Sequence, residues 1–298
     1  MKTGGDSRAR NDSRSGIKTD LGEKFAAFSE DRMAFVSAVF LVTIGVLVLL
    51  APILNIQDPY EAVKSMRNAP PGTAGFLLGA DGHGRDVLAR MIWGGRVSLL
   101  VGILPTVAAM VISLFLGITA AYWGGWFDVL IMRSLDVLFA FPLVLLAIAI
   151  AGVMEPGIVT EILAITIILI PYISRLVRTS TLSVIAQPYI EAARAGGAGS
   201  PILIFRFILP NMIAPVIVYA TTLIGLMIVV GSGLSFLGLG VQPPVADWGE
   251  MVSEGRVVLR KAPHVTLFPG LAILFVSLAF NFVGDGLQNA LNRKSAKA

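Results

Sequence analysis

At 298 residues, 55% hydrophobic and only 14% charged, with a mean hydropathy of +0.80, the chain lies outside the composition of a soluble globule. It has no cysteine, which excludes disulfides, thiolate metal sites and thiol redox chemistry; the two histidines, His83 and His264, lack metal-ligand spacing and read as loop residues. The net charge of +4 carries no nucleic-acid signal, because the basic residues concentrate at the ends of apolar runs and in the N-terminal tail.

Residues 1–32 are polar and mixed in charge, and the first apolar run arrives too late for a signal peptide, so they read as a cytoplasmic tail. Six apolar runs follow, at about 34–54, 97–122, 127–153, 158–177, 213–239 and 265–283. Each is long enough to cross ~30 Å of hydrocarbon at ~1.5 Å per residue. A polar segment at 55–95, with a Pro70-Pro71-Gly72 turn, separates the first two, and another at 240–264 separates the last two. Six spans place both termini on one side. Most of the 23 Lys and Arg fall on that side, which assigns the termini, including the tail at 293–298, and the loop at 178–212 to the cytoplasm. The fold class expected is an all-α integral membrane protein with six transmembrane helices.

Charge is nearly absent from the span interiors. Asp128, Arg133 and Asp136 cluster at the cytoplasmic start of the third run, and Glu161 lies near the outer end of the fourth. No span carries the mid-membrane carboxylate or cation that proton- and sodium-coupled carriers use. Some ion sites are built from backbone carbonyls alone, so a self-sufficient carrier or channel stays as the alternative, with a membrane scaffold behind it.

The longest polar-tolerant interruption of the second half runs from Tyr189 to Asn211. Pro188 suits the first turn of a helix, Glu191 then sits where a carboxylate is favoured by the dipole, and Ala192, Ala193 and Ala195 leave one side thin. Gly196, Gly197 and Gly199 are expected to end that helix through positive φ. A second segment opens at Pro201 and is expected to stop at Pro210; eight residues around Arg206 cannot cross a bilayer, so it reads as an interfacial helix. On capping alone this is an ordinary cytoplasmic helix–turn–helix loop.

The spacing of Glu191-Ala192-Ala193, Gly197 and Leu209-Pro210 resembles the EAA loop of importer-type ABC transporter permeases. Further segments resemble that family in the same order. Leu78-Gly79-Ala80-Asp81, Gly84-Arg85-Asp86 and Gly95-Arg96-Val97-Ser98 are similar to the run before its second span. Asp136 to Pro142 resembles a segment of its third span, Gly231 to Gly240 the exit of its fifth, and Asn281 with Gly284-Asp285-Gly286 the end of its sixth. The resemblance covers about residues 30–292 and is nearest to the dipeptide/oligopeptide/nickel importer permeases (the DppC/OppC type). Departures are Ala80 and Ala89, where the family more often has Thr and Ser, and Gly196, where a bulky residue is usual and an earlier helix end is expected.

The resemblance implies a type I permease fold over residues 33–292, forming half of a pathway for peptides or similar small polar solutes across the inner membrane. It implies a second homologous permease subunit, two cytoplasmic ATP-binding subunits that hold the ATP and magnesium, and an extracytoplasmic solute-binding protein. Glu191, Ala192, Ala193, Gly197, Leu209 and Pro210 would form the ATPase-coupling loop. Gly79, Asp81, Gly84, Arg85, Asp86 and Arg96 would form a pore-entry motif, with Asp81 and Trp248 meeting the binding protein. Asp136, Pro142, Gly231, Gly233, Ser235, Gly238, Asn281 and Asp285 would serve gating or packing.

Plainer readings accompany these. Gly84-Arg85-Asp86 reads as a solvated turn with an adjacent ion pair. The glycines of 231–240 have neither a preceding strand nor a Gly-Lys-Ser/Thr, and suit close helix packing. Phe139, Phe141 and Phe236 suit helix packing, and Trp123, Trp126 and Trp248 suit membrane interfaces. No nucleophile–base set, paired carboxylates or nucleotide-binding loop is present, so the chain is expected to be no enzyme and to carry no cofactor or metal.

Overall fold

The computed structural model describes residues 28–54 and 57–295. The expected N-terminal tail lies largely outside the described residues, as do the last three residues of the C-terminal tail. Among the described residues the chain is helical, without named strands. Its main helices are α1 (Arg32–Leu49), α2 (Val87–Trp123), α3 (Gly125–Phe139), α4 (Leu143–Val153), α5 (Ile158–Ile185), α6 (Pro188–Ala195), α7 (Leu209–Phe236), α8 (Trp248–Arg256) and α9 (His264–Ser295). Among the described residues, five stretches are long and apolar enough to cross a membrane, six if the bent pair α3–α4 is one span.

That pair corrects the expectation of one straight third span over 127–153. The two helices meet at 88°. Pro142 has no N–H to give back to Leu138 and disfavours the helical region for Phe141, so α3 ends and α4 starts anew after it. α4 has 11 residues, about 16 Å, and does not cross alone.

Other boundaries move as well. α2 begins ten residues before the expected span, because Asp86 caps it: its carboxylate accepts from the N–H groups of Leu88 and Ala89 at 3.2 and 3.1 Å. At 37 residues, about 55 Å, α2 must project well beyond the hydrocarbon. α1 stops at Leu49 rather than 54, giving way to turns. The expected stop at Pro210 is absent. Residues Leu203–Ile208 form a π-helical stretch that runs straight into α7, with Pro210 directly after the widened turn. The segment expected to lie at the interface is therefore the start of a 37-residue helix, Ser200–Phe236.

α2, α5 and α7 form the centre, with α4 and α6 against it. Ile165, Ile168, Leu169, Ile173 and Val177 of α5 are wholly buried there, together with Met212 and Met227 of α7. Small residues let the backbones approach: a Cβ on Gly117 would meet Val177 at 2.6 Å, and one on Gly225 would meet the Ser277 carbonyl at 2.6 Å. α1 is peripheral and leans mainly on α9, with the Ala34 methyl against Gly286. The two ends of the bundle differ. One, the cap end, carries the segment 57–86, α8 and the turns around it. The other, the loop end, carries α6 and the π-helical stretch.

Candidate functional site

At the loop end, Pro188 occupies the first turn of α6, Glu191 lies in that turn, and Ile190 alone of the helix is fully buried. Ile190 shares its cluster with Leu203 and Ile208, so one apolar anchor pins a short helix that could not hold itself. Glu191, Ala192, Arg194 and Ala195 are exposed, and Ala193 is half-buried against the core. The helix closes in a Schellman motif: Ala198 N–H donates to Ala193 O and Gly197 N–H to Arg194 O, both at 3.0 Å. Gly197 has φ +83, as that motif requires, whereas Gly196 (φ −74) and Gly199 (φ −70) are in ordinary regions. Only one of the three glycines is therefore needed for its φ, and Gly196 does not shorten the helix. Leu209 and Pro210 belong to the first turn of α7 rather than to a separate turn.

The cap end contradicts the solvated-turn reading of Gly84-Arg85-Asp86. Arg85 is 6% exposed: its Nε donates to Asp81 and its Nη2 to Glu254 of α8, each at 2.6 Å. Arg90 is 1% exposed and donates to the same Glu254 at 3.0 Å. A Cβ on Gly84 would strike the Val63 carbonyl, so this turn is closed against its neighbour. Nearby, Ser98 donates to Asp247 at 2.6 Å and receives the Trp248 N–H at 3.0 Å, while Trp248 Nε1–H donates to Met91 O at 2.8 Å.

Trp248 is thus buried rather than interfacial, and neither it nor Asp81 is accessible to a docking partner. Trp123 and Trp126, by contrast, are exposed. Arg96 stands apart from this lock, exposed and stacked over Trp93 at 5.2 Å. His264 opens α9 as a buried residue instead of a loop one. Burial, with Glu254 and Asp247 close by, pushes the Glu250 carboxyl up to about 7. Asp81, His83 and Glu254 bring possible ligand atoms together, but the Arg85 guanidinium contacts all three and fills the cation's place.

The remaining sequence candidates divide three ways. Asp136 pairs with Arg175 at 2.7 Å beside the α3–α4 break, where Arg175 also covers the Phe139 ring at 3.7 Å, and Arg178 forks onto Asp128. A Cβ on Gly231 would meet Val101 at 2.5 Å and Glu161 at 3.1 Å, whereas one on Gly233 meets nothing, so only the first packs inside this chain. Gly238 (φ +79) is the C-cap glycine of α7, in a second Schellman motif: Leu239 N–H donates to Leu234 O and Gly238 N–H to Ser235 O, both at 2.9 Å. Ser235 sits 3.4 Å from Glu161, a carboxyl 1% exposed whose burial the sequence did not signal. Asn281 donates to Ser277 O at the α7–α9 crossing, and Asp285 is exposed at the loop end.

The described residues thus form an apolar helical bundle of membrane-spanning length, with a salt-bridged cap at one end and a short capped helix presented at the other. Comparison with known proteins defines it further. Residues 113–297 match the family model described as binding-protein-dependent transport system inner membrane component. The chain is 39% identical to the dipeptide transport system permease protein DppC of Alkalihalophilus pseudofirmus, covering 91% of this chain and 89% of that one. It is 40% identical to the glutathione transport system permease protein GsiD of Pectobacterium atrosepticum, covering 93% and 92%.

Among solved structures, the methionine ABC transporter MetNI in an inward-facing conformation aligns with a TM-score of 0.52 at 16% identity, over 67% of this chain and 97% of that one. An amino acid ABC transporter crystallised with histidines aligns at 0.53 and 16%, over 66% and 92%. The chain belongs to the binding-protein-dependent transport permeases and is a permease subunit of an ABC importer. It is an integral membrane protein whose relatives are transport proteins.

Proposed function

We propose that this permease forms half of a pathway for short peptides or similarly sized polar solutes, and that it does no chemistry itself. The observation that carries this reading is its 39–40% identity, over some nine-tenths of its length, to permeases named for dipeptide and glutathione transport. Its partners are a second homologous permease, two cytoplasmic ATP-binding subunits that hold ATP and magnesium, and an extracytoplasmic solute-binding protein. Both termini and α6 face the cytoplasm, and the cap end faces outward, in keeping with the placement of the basic residues.

In this mechanism α6 docks on an ATPase through Glu191, Ala192 and Gly197, Ala193 sets its seat on the core, and Leu209 and Pro210 carry its motion into α7. The Ile190 anchor and the Schellman closure make α6 a rigid lever, so closure of the ATPase pair moves α5 and α7 as bodies. The salt-bridged cap keeps 57–86 and α8 together through that motion. Purifying the complex from its native membrane and identifying the binding protein with its bound ligand by mass spectrometry tests the reading. A short peptide or peptide-like ligand is expected; a sugar or an inorganic anion would overturn the substrate class.

A further inference from the structure

A cleft of about 570 Å³ opens at the loop end between α5, α7 and α9. That volume lies within the range of about 300–1,000 Å³ usual for small-molecule sites. Its polar lining comes from Asn211, Tyr219 and Thr222 of α7 and Asp285 and Gln288 of α9, with Leu176 of α5 at one wall. Five polar side chains thus line one cleft where α7 and α9 reach the loop end. Asp285 is exposed and, among the described residues, has no ion pair or hydrogen bond. The nearest arginines of α5 are already engaged, Arg175 by Asp136 and Arg178 by Asp128. The cleft therefore holds one uncompensated negative charge with neutral donors and acceptors around it. On the neighbouring face of α5, the Tyr172 ring packs at a tilt against Phe139, at the α3–α4 break, with centroids 4.9 Å apart.

Resting on the importer reading above, we infer that this cleft is an inward-facing solute site, in which Asp285 receives the ammonium group of a small amine-bearing solute on its way out. The carboxylate supplies a charge-assisted hydrogen bond, while the side-chain oxygens of Asn211 and Gln288 and the Tyr219 hydroxyl offer further partners to a peptide's amide or carboxylate. The site is open and makes one strong contact. It is suited to weak, releasable binding, which an exit step requires.

The test uses the assembled complex in lipid nanodiscs, free of nucleotide and of binding protein, with L-alanyl-L-alanine as probe and saturation-transfer NMR as readout. Saturable binding is expected, weakened about tenfold or more by Asp285→Asn and by replacing the probe with its N-acetyl derivative, since a hydrogen bond to a charged group is lost in each case. Asp285→Glu should keep most of the affinity. Absence of saturable binding, equal binding by Asp285→Asn, or equal binding of the acetylated probe would each overturn the site. So would release of the ATP-binding subunits by Asp285→Asn, which would make the aspartate a subunit contact. ATP-driven uptake of the binding protein's own ligand by the wild-type complex is measured alongside. Its failure strikes the importer reading, whereas uptake without probe binding strikes the cleft alone.

Discussion

Replacing Gly197 with valine separates a lever from a mere loop. A Cβ at this position meets nothing within 4 Å, so no clash complicates the change. The cost is in the backbone: φ +83 is left-handed, and an L-residue there loses about 1–2 kcal/mol, a β-branched one more. If the chain escapes that strain it gives up the bonds from Gly197 to Arg194 and from Ala198 to Ala193, each worth about 1 kcal/mol. Either route removes about 2 kcal/mol from the end of α6, enough to change a two-state population roughly 30-fold. Ile190, Leu203 and Ile208 remain buried, so the helix stays attached but no longer rigid.

In vesicles holding the complete complex, Gly197→Val should abolish uptake and binding-protein-stimulated ATP hydrolysis while the chain still inserts and assembles. Gly238 supplies the control. It has φ +79, an equally open Cβ position and the same C-cap role, but lies at the cap end. Gly238→Val carries similar strain and should leave stimulated hydrolysis standing. If the two variants lose stimulated hydrolysis alike, or if Gly197→Val transports normally, the lever account is wrong.

Three further outcomes follow from the packing. Gly231→Leu should destabilise the chain by about 1–3 kcal/mol through overpacking against Val101, while Gly233→Ala, with open space before it, should leave the melting temperature unchanged. Glu254→Ala removes one of the two carboxylates that the buried Arg85 and Arg90 guanidiniums share, leaving Asp81, and should cost about 3 kcal/mol in thermal unfolding followed by tryptophan fluorescence, whereas Arg96→Ala, outside the lock, should cost little. Glu250 binds its proton more tightly in the folded chain than at its ordinary 4.5, so its contribution to stability is full below about 4.5 and fades as pH rises through about 7. Glu250→Gln should flatten that decline between pH 5 and 8.

Much of the fold was legible because its signals are local. Run length marked the membrane-crossing helices, and Pro188, Glu191 and the glycines after Ala195 marked where α6 starts and stops. What escaped was either ambiguous locally or distant in sequence. Pro105, Pro171, Pro215 and Pro269 all sit inside helices, whereas Pro142 ends one, and nothing in its flanks distinguishes it. Pro210 looked like a stop because the π-helical turn that accommodates it has no sequence signature. Arg85 looked solvated because its partner Glu254 lies 169 positions away, and Trp248 looked interfacial because Ser98 and Met91, which bury and bond it, lie on α2. The four glycines at 231–240 read as one motif, yet Gly231 and Gly240 pack closely, Gly238 caps and Gly233 is open.

The central claim is that α6 meets the ATP-binding subunits and the cap end does not. The natural chain has no cysteine, so single thiols can be placed without removing others. Arg194→Cys puts one on the exposed face of α6, and Leu77→Cys and Val257→Cys put one on surfaces of the cap end that are 69% and 82% exposed. With a short bifunctional thiol–amine crosslinker on the assembled complex, the Arg194→Cys thiol should capture an ATP-binding subunit, and the Leu77→Cys and Val257→Cys thiols only the extracytoplasmic binding protein. Capture of the binding protein through Arg194→Cys, or of an ATP-binding subunit through either cap position, would contradict the account.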